Sequence, residues 1–326
     1  MTIAISGTTG ITLAGQFDSA STFGFRNRII NGQMQIAQRA TSATITAGST
    51  IAAGYSTVDR FYVYCTGANV TAAQVAGSGA TKNRLQITGA ASVTAVGIGQ
   101  RIESLNSYDM AGSTATLSVN ISNSLLTTVT WTAYYANTAD TFGTLASPTR
   151  TQIATGTFTV TSTLTNYSTQ ISIPAAATTG IEVVFTVGAQ TSGTWVIGNI
   201  QLEKSPTATS FDYRPYGTEL DLCQRYFYKT NPSNTSQVGG LNGTFRTTTT
   251  VAGVAIFPVT MRVAPTTTRG GTSDTFYVSG LSATASYSAL APTFSTEMMW
   301  AEWTISGGTA AFNAAYNGQQ SFTAEL

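Results

Sequence analysis

Residues 193–229 read GTWVIGNIQLEKSPTATSFDYRPYGTELDLCQRYFYK, three kinds of chain in one run. TWVIGNIQLE (194–203) has the apolar and β-branched content of a strand. The piece after it, 206–217, carries Pro206 and Pro215 and reads as a link, because proline neither donates to a ladder nor continues a helix. Beyond it, Thr218 with Asp221 three residues on has the form of a capping box. Leu220, Cys223 and Phe227 follow at helical spacing, so a short helix is expected, with 226–229 alternatively already strand. A β domain therefore closes here and a new unit begins.

Working upstream, period-2 alternation dominates. Leu117, Val119 and Ile121 alternate with Thr116, Ser118 and Asn120, and Ile181, Val183, Phe185 and Val187 with Glu182 and Thr186. Ile171 and Ile173 precede Pro174, which should end their strand. Further candidates are 58–65, 85–89, 99–104, 127–135 and 154–160. Roughly ten strands broken by Gly, Ser, Asn and Thr turns predict an antiparallel two-sheet sandwich. Downstream, glycine punctuation returns, with strands expected at 251–259, 275–278 and 297–305, a second and smaller β domain. At the other end, Ile3 and Ile5, then Ile11 and Leu13, form two apolar pieces too short to bury their own faces. The expected divisions are an N-terminal attachment and oligomerisation segment 1–25, a sandwich 26–205, a linker with helix 206–229, and a tip 230–326.

Composition narrows the function. Only 9% of the 326 residues are charged, against about 25% in an average domain, so Ser, Thr, Asn, Gln and Gly must form much of the surface. A net charge of +1 gives no case for nucleic acid. No histidine occurs, which removes Ser-His-Asp and Cys-His catalysis and His-containing zinc sites. Cys65 and Cys223 are too far apart for a CxxC site and are expected as buried thiols. No run is apolar enough to insert in a membrane, and the first residues lack the form of a signal peptide. GSGATK (77–82) lacks the Gly-Lys-Ser/Thr ending of a phosphate loop and reads as a turn. Asp59 with Glu103 could serve as a carboxylate pair. With Arg60 and Arg101 beside them, they read instead as a charged brace. Glu297 and Glu302 are expected on the surface.

Four segments, in order, resemble a family of bacteriophage tail-fibre and virion structural proteins with a jelly-roll, carbohydrate-binding-module-like domain. They are NRIINGQMQIAQR (27–39), STVDRF (56–61), GQRIES (99–104) and the junction at 193–229, and the ending SFTAEL resembles fibre C-termini. The resemblance implies an all-β protein: an antiparallel jelly-roll sandwich followed by a short helix and a smaller C-terminal β domain. It implies a virion component made in the host cytoplasm, a homotrimer attached to other virion proteins through its N-terminal segment. That component would recognise host cell-surface polysaccharide without catalysis. The same resemblance admits a purely structural head-fibre, decoration or baseplate protein, and a glycan-degrading tailspike is the enzymatic alternative. Modules of this kind often hold a structural calcium. The matching late position here is Asn199 and acidic residues are sparse, so neither metal nor cofactor is expected. Sugar rings pack their C–H faces on flat side chains, which makes aromatics the candidate site. In the tail these are Tyr277, Tyr287, Trp300 and Tyr316. In the sandwich they are Trp131 and Tyr134, which have opposite parity on one strand, so that one faces the core and the other faces out.

Overall fold

The computed structural model describes residues 3–6, 10–13, 25–48, 54–79, 81–230, 242–269, 275–278, 284–305, 313–317 and 320–326. The chain forms two compact units. The first comprises Met1–Gln35, Ser42–Tyr55 and Phe61–Tyr216, and the second Ile36–Thr41, Ser56–Arg60 and Gly217–Leu326. Two short pieces from within 26–205 thus belong to the second unit, as do the residues after Tyr216.

The first unit is the jelly-roll sandwich. It begins with β1 (Ile3–Ser6) and β2 (Gly10–Leu13), which pair with each other so that Ile3 stands opposite Leu13 and Ile5 opposite Ile11. The sandwich strands are β3 (Ser42–Ile45), β4 (Tyr62–Thr66), β5 (Val70–Ala76), β6 (Asn83–Thr88), β7 (Ala95–Ile102) and β8 (Thr114–Asn123). They continue with β9 (Thr128–Ala136), β10 (Arg150–Thr159), β11 (Thr165–Ser172), β12 (Ile181–Val187) and β13 (Thr194–Glu203). One sheet has five strands in the order β10-β9-β12-β7-β4, the other six in the order β11-β8-β13-β6-β5-β3. Val63, Val96, Ile98, Val183 and Phe185 of the first sheet and Leu85, Ile87, Leu117, Val119, Ile121 and Ile197 of the second are all buried. Burying an aliphatic or aromatic side chain of this size is worth about 1.5–3 kcal/mol.

Two of the quoted motifs lock the sandwich shut. Asn27 accepts from the Ile29 and Leu202 amides at 2.9 and 3.0 Å and donates to the Ile200 carbonyl at 2.9 Å. Gly32 lets the chain lie against β13, where a Cβ would stand 2.2 Å from the Ile200 oxygen. Gln100 pins the same segment with a two-way amide pairing to Ile30, both bonds at 2.8 Å. The GSGATK turn closes the β5–β6 hairpin through the Gly77 amide and the Lys82 carbonyl at 2.7 Å.

The second unit holds α1 (Tyr216–Gln224), β14 (Phe227–Lys229), β15 (Asn242–Phe245), β16 (Thr250–Ile256) and β17 (Thr266–Arg269). It continues with β18 (Thr275–Val278), β19 (Thr284–Phe294), β20 (Met298–Ile305), β21 (Asn313–Asn317) and β22 (Gln320–Thr323). Six strands close a barrel in the order β15-β16-β20-β19-β18-β21, and β14-β22-β17 form a small sheet. Phe322 of that sheet packs on Phe257 at 4.9 Å and stacks on Tyr228 at 6.0 Å.

The helix starts at Tyr216, so Thr218 lies in its first turn and is not the cap before it. Of its apolar stripe, Cys223 and Phe227 are buried and Leu220 is half-buried, and Phe227 begins a strand with the Arg39 guanidinium 3.7 Å from its ring centre. Cys65 and Cys223 are both free and buried. Among the described residues no helix is long and apolar enough to cross a membrane.

Pieces of three quoted motifs and the ending SFTAEL meet in this unit around one buried ion network. Glu325 pairs with Arg39 at 3.1 Å and with Arg60, whose guanidinium lies 3.4 Å from the Tyr226 ring centre. Asp59 sits 3.7 Å from Arg39 and accepts from the Gln38 amide at 3.0 Å and from the Gln38 side chain. Around Asp59 and Arg60 the charged network also takes in Arg39 and Glu325, which come from distant parts of the chain. Burial raises the Asp59 carboxyl above its ordinary value, and the lowering by Arg39, the Gln38 hydrogen bonds and Arg60 does not offset it. A carboxyl raised on folding binds its proton more tightly in the folded state. Its contribution to stability must therefore fall as pH rises from about 4, the unfolded value, through the raised folded value. Unfolding free energies from urea titrations at pH 4 to 8 should show wild type losing ground to Asp59→Asn as pH rises. A wild-type advantage that grows with pH would contradict the assignment.

Candidate functional site

The face of the five-stranded sheet turned away from the core is built by an unusual alternation on β7. AVGIGQRI sends Val96 and Ile98 inward and leaves Gly97, Gly99 and Arg101 on the other face. Pairing sets Tyr62 opposite Gly99 and Tyr64 opposite Gly97. The two phenol rings lie over these glycines, where a Cβ would come within 2.3 and 2.1 Å of ring atoms. The rings are stacked, 6.4 Å apart with 25° between planes, and Tyr55 meets Tyr62 edge-on at 6.0 Å.

Next to this floor stands Glu182 of β12, placed by register between Arg101 of β7 and Tyr134 of β9. Its side chain is 0% exposed. It accepts from the Tyr62 hydroxyl at 2.8 Å, from Arg101 Nε at 2.9 Å, and from Arg150. Arg150 also lies 4.0 Å from the Tyr134 ring centre, and Arg101 donates to the Gly143 carbonyl at 3.1 Å. Burial pushes both the Tyr62 and Tyr64 phenols above the usual tyrosine range. They act as neutral rings and hydroxyls at physiological pH. Tyr62, Arg101 and Glu182 form the buried layer, while Tyr64, Tyr134, Arg150, Thr130, Thr132 and Thr186 are half-buried above it. The result is a face with aromatic planes, two arginines and a row of threonine hydroxyls. Its one carboxylate has its oxygens engaged by three donors, which suits binding better than proton transfer.

The sequence candidates fall out unevenly. Tyr134 belongs to this face. Trp131 does not: it is 5% exposed, packs on Phe158 inside the sandwich and covers Gly156, so it is a core residue and leaves the candidate set. Trp300 is 38% exposed on β20, paired with Val254 and Thr293. Tyr277, Tyr287 and Tyr316 stand on β18, β19 and β21 of the barrel, and their side chains lie outside the described ones. Tyr316 pairs with Phe276, one place out of register with Tyr277. Asp59 and Glu103 belong to different units, and Arg101 takes Glu182 as its partner. Glu302 pairs with Arg246, and Glu297 is exposed. Asn199 holds Thr81 at 2.8–3.0 Å, and the described residues contain no cluster of metal-ligating side chains. Tyr62, Tyr64, Arg150 and Glu182 escaped the sequence reading, and the alternate glycines of GIG beside YVY were the one available hint.

No family model matches this chain, and neither does any curated protein. Among solved structures it is similar to a carbohydrate-binding module of family 4, at 13% identity over 54% of this chain and 98% of that one, with a TM-score of 0.36. It is also similar to the module TmCBM61, solved with β-1,4-galactotriose, at 10% identity over 55% of this chain and 99% of that one, with a TM-score of 0.34. A third is the enzymatically active domain of bacteriophage CBA120 tailspike protein 4, at 18% identity over 58% of this chain and 24% of that one, with a TM-score of 0.32. These likenesses concern the fold.

Proposed function

We propose that this protein binds surface polysaccharide, without cleaving it, on the outer face of the five-stranded sheet. We further propose that it does so as a phage tail fibre or adhesin. The observation that carries the binding is the Tyr62–Tyr64 floor over Gly97 and Gly99, extended by Tyr134, Arg150 and the threonine row. Flat rings accept sugar C–H faces at low entropic cost, and each such contact contributes on the order of 1 kcal/mol. A single site is then weak, and several copies on one particle supply avidity. A homotrimer is part of this reading. Its support is the apolar exterior of the barrel, where Val254 pairs with Trp300 and Ile256 with Met298, all four exposed. The four sequence segments that resemble those of virion proteins support the fibre reading. Labelled antibodies should locate the chain at a distal, host-facing position on phage particles by electron microscopy. A capsid-bound position would make it a decoration protein.

A further inference from the structure

At the end of the sandwich where β13 leaves the sheet, a half-open cavity of about 390 Å³ lies between Phe25, Arg26 and Arg28 on one side and the residues after Leu202 on the other. We propose that it is a second binding site, for the carboxylate of an acidic saccharide. The proposal shares its ligand class with the reading above and otherwise stands on different residues. Phe25, Arg26, Arg28, Glu203, Lys204 and Thr209 line the cavity, three cations against one carboxylate. The charges are not equally engaged. Glu203 is buried and turned to its own loop, accepting from the Thr209 amide at 2.8 Å and hydroxyl at 2.6 Å. Arg28 donates to Asp109 at 2.8 Å, and Lys204 to the Asp109 carbonyl. Arg26 is different. Its guanidinium has a single bond, at 3.5 Å to the Ser210 carbonyl, and its Nε and Nη1 are buried with no acceptor among the described residues.

A guanidinium so little engaged keeps most of its desolvation cost with nothing to offset it. An anion in the cavity, reaching it through the accessible Nη2, would offset that cost with charge-assisted bonds. Phe25 decides which anion. Its ring is 61% exposed at the cavity wall and offers a flat apolar surface that a free inorganic ion cannot use but a pyranose can. A cavity of this size lies within the range that holds a small ligand, about 300–1,000 Å³.

The test is titration calorimetry of the full chain with a galacturonic acid trisaccharide, at low and high salt. We expect salt-sensitive binding that weakens about tenfold or more in Arg26→Ala, the loss of one or more charge-assisted hydrogen bonds. Arg26→Lys should recover part of it, and Tyr64→Ala with Tyr134→Ala, which removes the sheet floor, separates the two sites. If Arg26→Ala is misfolded by circular dichroism, Lys204→Ala carries the test, since Lys204 is exposed and its loss should also weaken binding. Binding indifferent to both substitutions overturns the site. Binding lost only in the sheet variant overturns the cavity and leaves the sheet reading standing. Inorganic phosphate that displaces the trisaccharide at equal concentration makes the cavity a site for an adventitious ion only. Failure of acidic and neutral oligosaccharides alike sinks both readings.

Discussion

Replacing Glu182 by alanine is expected to cost the sandwich about 3–5 kcal/mol, the usual consequence of removing one partner from a buried ion pair. The carboxylate is 0% exposed and Arg101 5%, so solvent screens the pair little. Without Glu182, Arg101 and Arg150 face each other across the vacated position, and the Tyr62 hydroxyl loses its acceptor. The resulting cost is mostly that of stranded charge, not of lost attraction. A triple substitution, Arg101→Met, Glu182→Leu and Arg150→Met, should therefore recover most of the stability. Urea unfolding followed by circular dichroism compares the three proteins. A loss below about 1 kcal/mol for Glu182→Ala would show that the charges are solvated and the layer is not buried.

Glu325→Ala should cost the second unit on the order of 3 kcal/mol. Arg60 is almost wholly buried, with its guanidinium over the Tyr226 ring, and Glu325 is its carboxylate partner in an ion pair. The figure sits at the low end of the range because Asp59 remains beside Arg39. Arg262 also holds the main chain there, donating to the Ala324 and Glu325 carbonyls at 2.7 and 2.8 Å. Those bonds survive the substitution. Hydrogen exchange read on peptides from 217–326 should show faster opening of β14 and β22. Unchanged protection there would mean that the aromatic stack of Tyr228, Phe257 and Phe322 holds the small sheet without the ions.

The sandwich was legible in the sequence where both faces of a strand differ in polarity. Leu117, Val119 and Ile121 on β8 declared themselves, and Pro174 marked the end of β11 within two residues. VTAAQVA of β5 did not, since it has few large apolar residues, and β11, an edge strand with most of its length exposed, declared only its Ile171 end. The barrel was only partly visible, in β16, β18 and β20. The site was largely illegible. Tyr62 and Glu182 are 120 residues apart and meet only through strand register, which single-sequence periodicity does not encode. Arg101 illustrates this: Glu182, its ion-pair partner, lies opposite it on β12 and 81 residues away in the chain. Local spacing found which residues are in strands, and pairing decided which of them form a surface.

The tyrosine floor of the five-stranded sheet is the proposed glycan site. A glycan microarray of neutral and acidic oligosaccharides, probed with the full chain and with Tyr64→Ala plus Tyr134→Ala, tests it most directly. The expected result is a discrete set of bound glycans whose signal falls about tenfold or more in the double variant, the loss of two stacking contacts. An unchanged pattern, with the variant folded, would contradict it.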